Sequence, residues 1–204
     1  MILTILIIPF LWAGVAIIAA LLGTTYVITL KNGDKLTVLG MQASGKTRFL
    51  SFLRKVEYIE RATGQEEYKK FTYKFDKDRS VTIQSGVDRG GGDNYKQYYK
   101  KSIEESDIIL FLFNLNEYIN ENVEYVRETN SRFELIYDFA KKQERDVVII
   151  GTHKDLLNFS EDNIKKNFDE KISTKSYKDL FKAFILINLT DKADIEKQIK
   201  LIFK

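Results

Sequence analysis

The stretch Gly40-Met41-Gln42-Ala43-Ser44-Gly45-Lys46-Thr47 constrains this chain more than any other. It reads G-x-x-x-x-G-K-[ST], the phosphate-binding P-loop. Its flanks are the ones that motif needs. A strand-like run, Leu36 to Leu39, precedes it, and Thr47 to Arg54 follows with Phe49, Phe52 and Leu53 at helical spacing. Strand, glycine loop and helix start gather backbone N–H groups and the positive end of a helix dipole around one anion. Lys46 would reach the β- and γ-phosphates, and the Thr47 hydroxyl would bind Mg2+. A chance glycine turn would not match all four fixed positions and both flanks.

With 204 residues, 44% of them apolar and 30% charged, the chain is long enough for one domain with a sizeable core. Lys and Arg number 32 and Asp and Glu 29, so the net charge of +3 is too near balance to argue for nucleic acid. There is no cysteine, hence no disulfide and no thiolate metal site.

Residues 1–30 carry no charged side chain, and Ile2 to Leu22 is almost wholly apolar. A span of about 20 such residues crosses a bilayer. A cleaved secretory signal would carry a basic start and a shorter apolar core. A buried core helix of that length would show a polar stripe. The expectation is a transmembrane anchor over residues 1–23, a linker over 24–34, and the P-loop domain over 35–204. Lys31, Lys35, Lys46 and Arg48 follow the apolar run, which places the domain on the cytoplasmic side.

Thr24 to Leu30, the Asn32-Gly33 turn and Lys35 to Leu39 have the pattern of a hairpin. A strand feeding a P-loop has both edges occupied, so Tyr26 to Leu30 is read instead as an edge piece or linker. Glu57 to Lys70 is charged and aperiodic, in the manner of a ligand-covering loop. Phe71 to Phe75 and Ser80 to Val87, joined by Asp76-Lys77-Asp78, form a predicted β-hairpin. Its second strand runs into Asp88-Arg89-Gly90-Gly91-Gly92, where three glycines suit a backbone that approaches something closely.

A helix is predicted over Tyr95 to Glu105, and another over about Ser131 to Glu144. Asp107 to Phe113, Val147 to Ile150 and Ala183 to Leu189 are continuous apolar runs, the mark of strands buried on both faces. Ser160 can cap a polar helix, and a terminal helix buries Ile195, Ile199 and Ile202. Strands alternating with helices mean an α/β fold with a mostly parallel sheet and helices on both faces.

Three marked loops follow strand ends, where open α/β sheets bind ligands. An acidic residue at such an end, here Asp88, can hold the Mg2+ that bridges β- and γ-phosphates. A carboxylate in another loop, Asp155 of Thr152-His153-Lys154-Asp155, can accept both hydrogen bonds from the N1–H and N2–H2 edge of guanine. The plainer alternatives are a turn residue for Asp88, a turn or capping carboxylate for Asp155, and an ordinary half-exposed side chain for His153.

On these motifs residues 35–204 resemble the small GTPase superfamily, Ras-like and Arf-like in layout. The resemblance implies a P-loop NTPase fold with a six-stranded, mostly parallel sheet and one antiparallel strand. Gly40 to Thr47 resembles the first nucleotide motif, with Gly40, Gln42, Ala43, Ser44, Gly45, Lys46 and Thr47 on the phosphates. Asp88-Arg89-Gly90-Gly91 is similar to D-x-x-G, which implies Asp88 on Mg2+ and the Gly91 N–H on the γ-phosphate. Thr152-His153-Lys154-Asp155 resembles N-K-x-D, which implies Thr152, His153 and Asp155 around guanine. Leu189 of Asn188-Leu189-Thr190 stands in the place of the S-A-K motif, which it matches poorly. Thr63 is the counterpart of the switch threonine that joins Thr47 and Asp88 on Mg2+. An anchor ahead of such a domain is similar in layout to the membrane-anchored β subunits of signal-recognition-particle receptors.

The departures bear on rate. Gly92 stands where many members carry the side chain that orients the attacking water. Gln42 crowds the γ-phosphate. Arg89 either supplies a catalytic charge in cis or is a solvated loop arginine. The sequence thus reads as a membrane-anchored GTPase that binds GTP, GDP and Mg2+, turns over slowly, and recruits an unidentified effector or activator. The competing readings are a nucleotide-sensing scaffold that hardly turns over and an ATP-binding P-loop protein.

Overall fold

The computed structural model describes residues 28–31, 33–59, 66–88 and 95–203, with only the backbone of 66, 67, 87, 88 and 202. The predicted anchor over residues 1–23 lies outside the described residues. Among those described, no helix is long and apolar enough to cross a membrane.

Among the described residues, eight strands and six helices follow in order: β1 (Lys35–Gly40), α1 (Lys46–Arg54), β2 (Glu66–Tyr68), β3 (Phe71–Lys74), β4 (Ser80–Ile83), β5 (Gly86–Asp88), α2 (Tyr95–Glu104), β6 (Ile108–Asn114), α3 (Leu115–Ile119), α4 (Val123–Lys142), β7 (Asp146–Thr152), α5 (Glu161–Ile172), β8 (Phe184–Ile187) and α6 (Lys192–Ile202). Six strands make one sheet in the order β3-β4-β1-β6-β7-β8. Every pairing in it is parallel except β3 with β4. β6 is buried at all seven positions, as a strand covered on both faces must be.

Two apolar layers sandwich the sheet. On one face Phe49 and Leu53 of α1 pack with Ile195 and Ile199 of α6. On the other, Ile103 of α2, Phe133 and Ile136 of α4, and Phe168 of α5 surround the outward rings of β6. Phe113 meets Phe133 edge-on at 5.4 Å between ring centroids. Such aromatic pairs add roughly 0.5–1.5 kcal/mol to their area burial.

The sheet departs from the sequence reading at its edges. Ile28 does not pair with β1, whose two sides belong to β4 and β6, in line with the reading of Tyr26 to Leu30 as an edge piece or linker. It forms an isolated parallel bridge with Phe203 and is buried in the core. The turn before β1 does form, closed by Asp34 N–H to the Lys31 carbonyl and Lys31 N–H to Asp34 Oδ2. The predicted second hairpin strand, Ser80 to Val87, is two strands. β4 ends at Ile83, and β5 leaves to pair antiparallel with β2, inside the stretch read as a covering loop. Gly86 permits that approach, since a Cβ there would collide with Tyr68 Oη.

α4 begins two turns earlier than predicted. Asn122 caps it, its side chain accepting from Tyr125 N–H at 3.3 Å. α3 was not expected at all. Ala183 belongs to a 3-10 turn over Lys178–Ala183, so the last strand starts at Phe184. Phe52 is half-buried rather than buried, while Leu50 is buried instead.

Candidate nucleotide site

β1 hands the chain to a loop folded tightly against β6. Met41 N–H donates to the Leu112 carbonyl at 2.9 Å, and the Tyr99 hydroxyl donates to the Gly40 carbonyl at 2.9 Å. A Cβ on Gly40 would stand 2.6 Å from the Leu112 carbonyl oxygen, so only glycine fits there. Burial holds the Tyr99 hydroxyl in its protonated, donating form. Ala43 and Gly45 both take left-handed backbone conformations, at φ 55 and φ 74. Alternation of that kind turns successive N–H groups into an anion-binding hollow.

Gly45 is the N-cap of α1 and has no side chain to cap it, and the helix's first turn holds no acidic residue. The positive end of the dipole is therefore not neutralised by the helix itself. Ser44 is 1% exposed, and its hydroxyl finds no hydrogen-bond partner among the described residues. A buried orphan hydroxyl costs about 1–3 kcal/mol. It fits a loop whose missing partner is a phosphate oxygen. Lys46 is also buried, at 7% exposure, a burial that an ammonium tolerates only among polar or anionic groups.

Two further loops reach Gly45 from the ends of β7 and β8. A Cβ on Gly45 would collide with Leu189 Cδ1 and stand 3.9 Å from His153 Cε1. The P-loop, the Thr152–Asp155 loop and the Asn188–Thr190 loop thus converge at the carboxyl ends of three parallel strands, the ligand-binding edge of open α/β sheets.

Thr152 is fully buried and turned inward. Its hydroxyl donates to the Phe113 carbonyl at 3.0 Å and lies 2.8 Å from His153 Nδ1. The single hydroxyl proton goes to the carbonyl, so the contact with His153 runs the other way, Nδ1–H donating to Oγ1. That fixes the neutral tautomer and leaves Nε2 as the ring's acceptor. His153 adopts φ 60 and caps a 3-10 turn over Lys154–Leu156. Burial pushes its pKa down; Arg48 reinforces this and Asp155 opposes it. Asp155 lies on the exposed side of the turn.

Of the remaining predicted residues, Gln42 and Ala43 are exposed on the loop and Thr47 is half-buried in the first turn of α1. Asp88 is the last residue of β5, described by its backbone alone. Thr63, Arg89, Gly91 and Gly92 lie outside the described residues. No group of three or more His, Asp or Glu among the described residues is placed to hold a metal.

Sequence reasoning missed Lys154. Its ammonium donates to Glu161 Oε1 at 2.8 Å and to Asp194 Oδ1 at 3.0 Å. Asp194 Oδ2 in turn accepts the Asn188 N–H at 2.8 Å. Lys154 looks in sequence like any solvated lysine, and its partners are remote.

No protein-family model matches the chain, and no curated protein does. Among solved structures it is similar to a variant of Era from Aquifex aeolicus bound to GDP and AlF4−. The TM-score is 0.58 at 16% sequence identity, over 83% of this chain and 56% of that one. This chain therefore spans little more than half the length of that neighbour. The likeness, the mixed six-stranded sheet and the loop before α1 give the chain a P-loop NTPase fold.

Proposed function

We propose that the chain is a GTP-binding switch protein that binds GTP or GDP with Mg2+ in the Gly40–Thr47 loop and hydrolyses GTP slowly. One observation carries this reading: loops from three strand ends meet at Gly45, one built for phosphate and two bearing His153, Asp155 and Leu189. The neighbour Era, described with GDP and AlF4−, supports it.

In this reading Lys46 and the Ser44 hydroxyl hold phosphate oxygens, and the dipole of α1 adds fixed positive potential. Thr47 and Asp88 would hold Mg2+, with Thr63 joining them in the triphosphate state. Bound there, it would supply positive charge to the phosphates. Leu189 packs on Gly45 and closes the side of the pocket. Asp155 takes the guanine N1–H and N2–H2 edge. His153, neutral at pH 7, offers a ring face where the related pattern has a lysine stem. The γ-phosphate would order the loops around Thr63 and Gly91, and its loss would release them, giving the switch. Residues 1–23 would hold the domain at the cytoplasmic face of a membrane, where a protein effector or activator reads the switch.

A fluorescent GTP analogue titrated into the full-length chain tests the site. Lys46→Ala should abolish triphosphate binding, because the motif's point charge on the phosphates is gone. Unchanged GTP affinity in that variant would remove the phosphate assignment.

A further inference from the structure

Lys154 occupies the position that the N-K-x-D pattern leaves open, between His153 and Asp155. Its side chain is only 16% exposed, and that of Asp194 only 13%. The pair is close, 2.9 Å between Nζ and Oδ2. Asp194 sits in the first turn of α6, where the helix dipole favours a carboxylate. It accepts three ways: from Lys154, from the Asn188 N–H, and from Gln198 Nε2 at 3.4 Å. Asn188 Oδ1 then holds Thr190 through its N–H at 2.8 Å and its hydroxyl at 2.7 Å. Leu189 lies between those two pinned residues, with its side chain against Gly45. Glu161, half-exposed at the start of α5, holds the other side of the ammonium.

We propose that Lys154 is a positioning residue for base recognition, fastening the loop of His153 and Asp155 to the loop of Leu189 through Asp194. The inference rests on reading this site as a guanine-nucleotide pocket. The physical reason is that neither loop is otherwise fixed to the other by the sheet. β7 and β8 end at Thr152 and Ile187 in register. Beyond that register, the hydrogen bonds that join the two loops among the described residues run through Asp194. A half-buried carboxylate shared by a lysine and a backbone N–H holds both at once, and removing either member of the ion pair leaves the other charge unpaired. Because Lys154 touches no phosphate-loop residue through these bonds, its effect should fall on the base and spare the phosphates.

The test compares dissociation constants for GDP and for pyrophosphate with Mg2+ on the full-length chain and its Lys154→Met, Lys154→Arg and Asp194→Asn variants. Lys154→Met should weaken GDP about tenfold or more, within the range of coupling for residues in one network. Pyrophosphate affinity should stay unchanged, an outcome that general destabilisation would not give. Lys154→Arg keeps the charge and should recover most of the GDP affinity. Asp194→Asn preserves shape and cuts the same link, so it decides the matter if Lys154→Met does not fold. The Lys154→Met, Asp194→Asn double variant should be no worse than the weaker single one. Unchanged GDP affinity in both single variants, or equal losses for GDP and pyrophosphate, would overturn the inference while leaving the pocket standing. If the unmodified chain binds pyrophosphate but no guanine nucleotide, the pocket reading fails and this one with it.

Discussion

Replacing Thr152 with valine isolates what its hydroxyl does. The side chain is fully buried at the end of β7, opposite Asn114 on β6. Valine keeps the shape and removes two contacts, the Phe113 carbonyl at 3.0 Å and His153 Nδ1 at 2.8 Å. Each is worth about 0.5–1.5 kcal/mol net, and the buried methyl gives part of that back, leaving a loss of about 1–2 kcal/mol. For a domain of this size each kcal/mol moves Tm by about 2–4 °C, so thermal unfolding should fall by about 2–8 °C. The chain has a single histidine, so its imidazole nitrogens give one resolvable set of NMR signals. In the unmodified chain these should report the Nδ1–H tautomer, and Thr152→Val should release it. An Nε2–H tautomer in the unmodified protein, or an unchanged Tm in Thr152→Val, would refute the reasoning. Guanine affinity should change only as far as His153 moves, because the hydroxyl itself does not face the pocket.

Burial lowers the His153 pKa from 6.5, so the folded state favours the neutral ring. The sign follows: His153 contributes stability above pH 6.5 and loses it as pH falls through its folded pKa, so His153→Gln should flatten the acid limb of a urea-midpoint profile. Carbonate extraction of membranes should leave the full-length chain in the pellet and release a chain lacking residues 1–23; release of the full-length chain would sink the anchor. Single-turnover phosphate release should be slow in the unmodified chain and faster in Gly92→Gln, which restores a side chain able to orient water. Fast release that persists in Arg89→Ala would mean that another group does the chemistry.

The parts of the fold legible in sequence are those where local pattern and burial agree. The loop before α1 needed its glycines and Lys46 at fixed positions, and β6 and β7 needed unbroken apolar runs. Ser160 was readable as a cap, and its hydroxyl accepts the Asn163 N–H. The start of α4 was hidden because its fully buried positions before Phe133 are polar. Thr129 and Arg132 are buried there, Arg132 stacked 4.0 Å over the Tyr95 ring. A helical period in apolar residues cannot register such positions. Contacts between remote residues were equally invisible. Ile28 reaches Phe203, and Lys154 reaches Asp194, across distances in sequence that no local rule spans. At the site, the motif marked Ser44 and Gly45 in the loop before α1. Only the fold shows that Leu189 and His153 arrive at Gly45, and that Thr152 faces the core.

Competition for bound fluorescent GDP by GDP, ADP and XDP, with Mg2+ and the full-length chain, tests the central claim most directly. The account predicts displacement by GDP and not by ADP, because adenine would leave the Asp155 carboxylate unpaired at the base edge. It also predicts that Asp155→Asn shifts preference toward XDP, whose 2-oxo group needs a donor. Equal displacement by ADP and GDP in the unmodified chain, unaltered in Asp155→Asn, would contradict it.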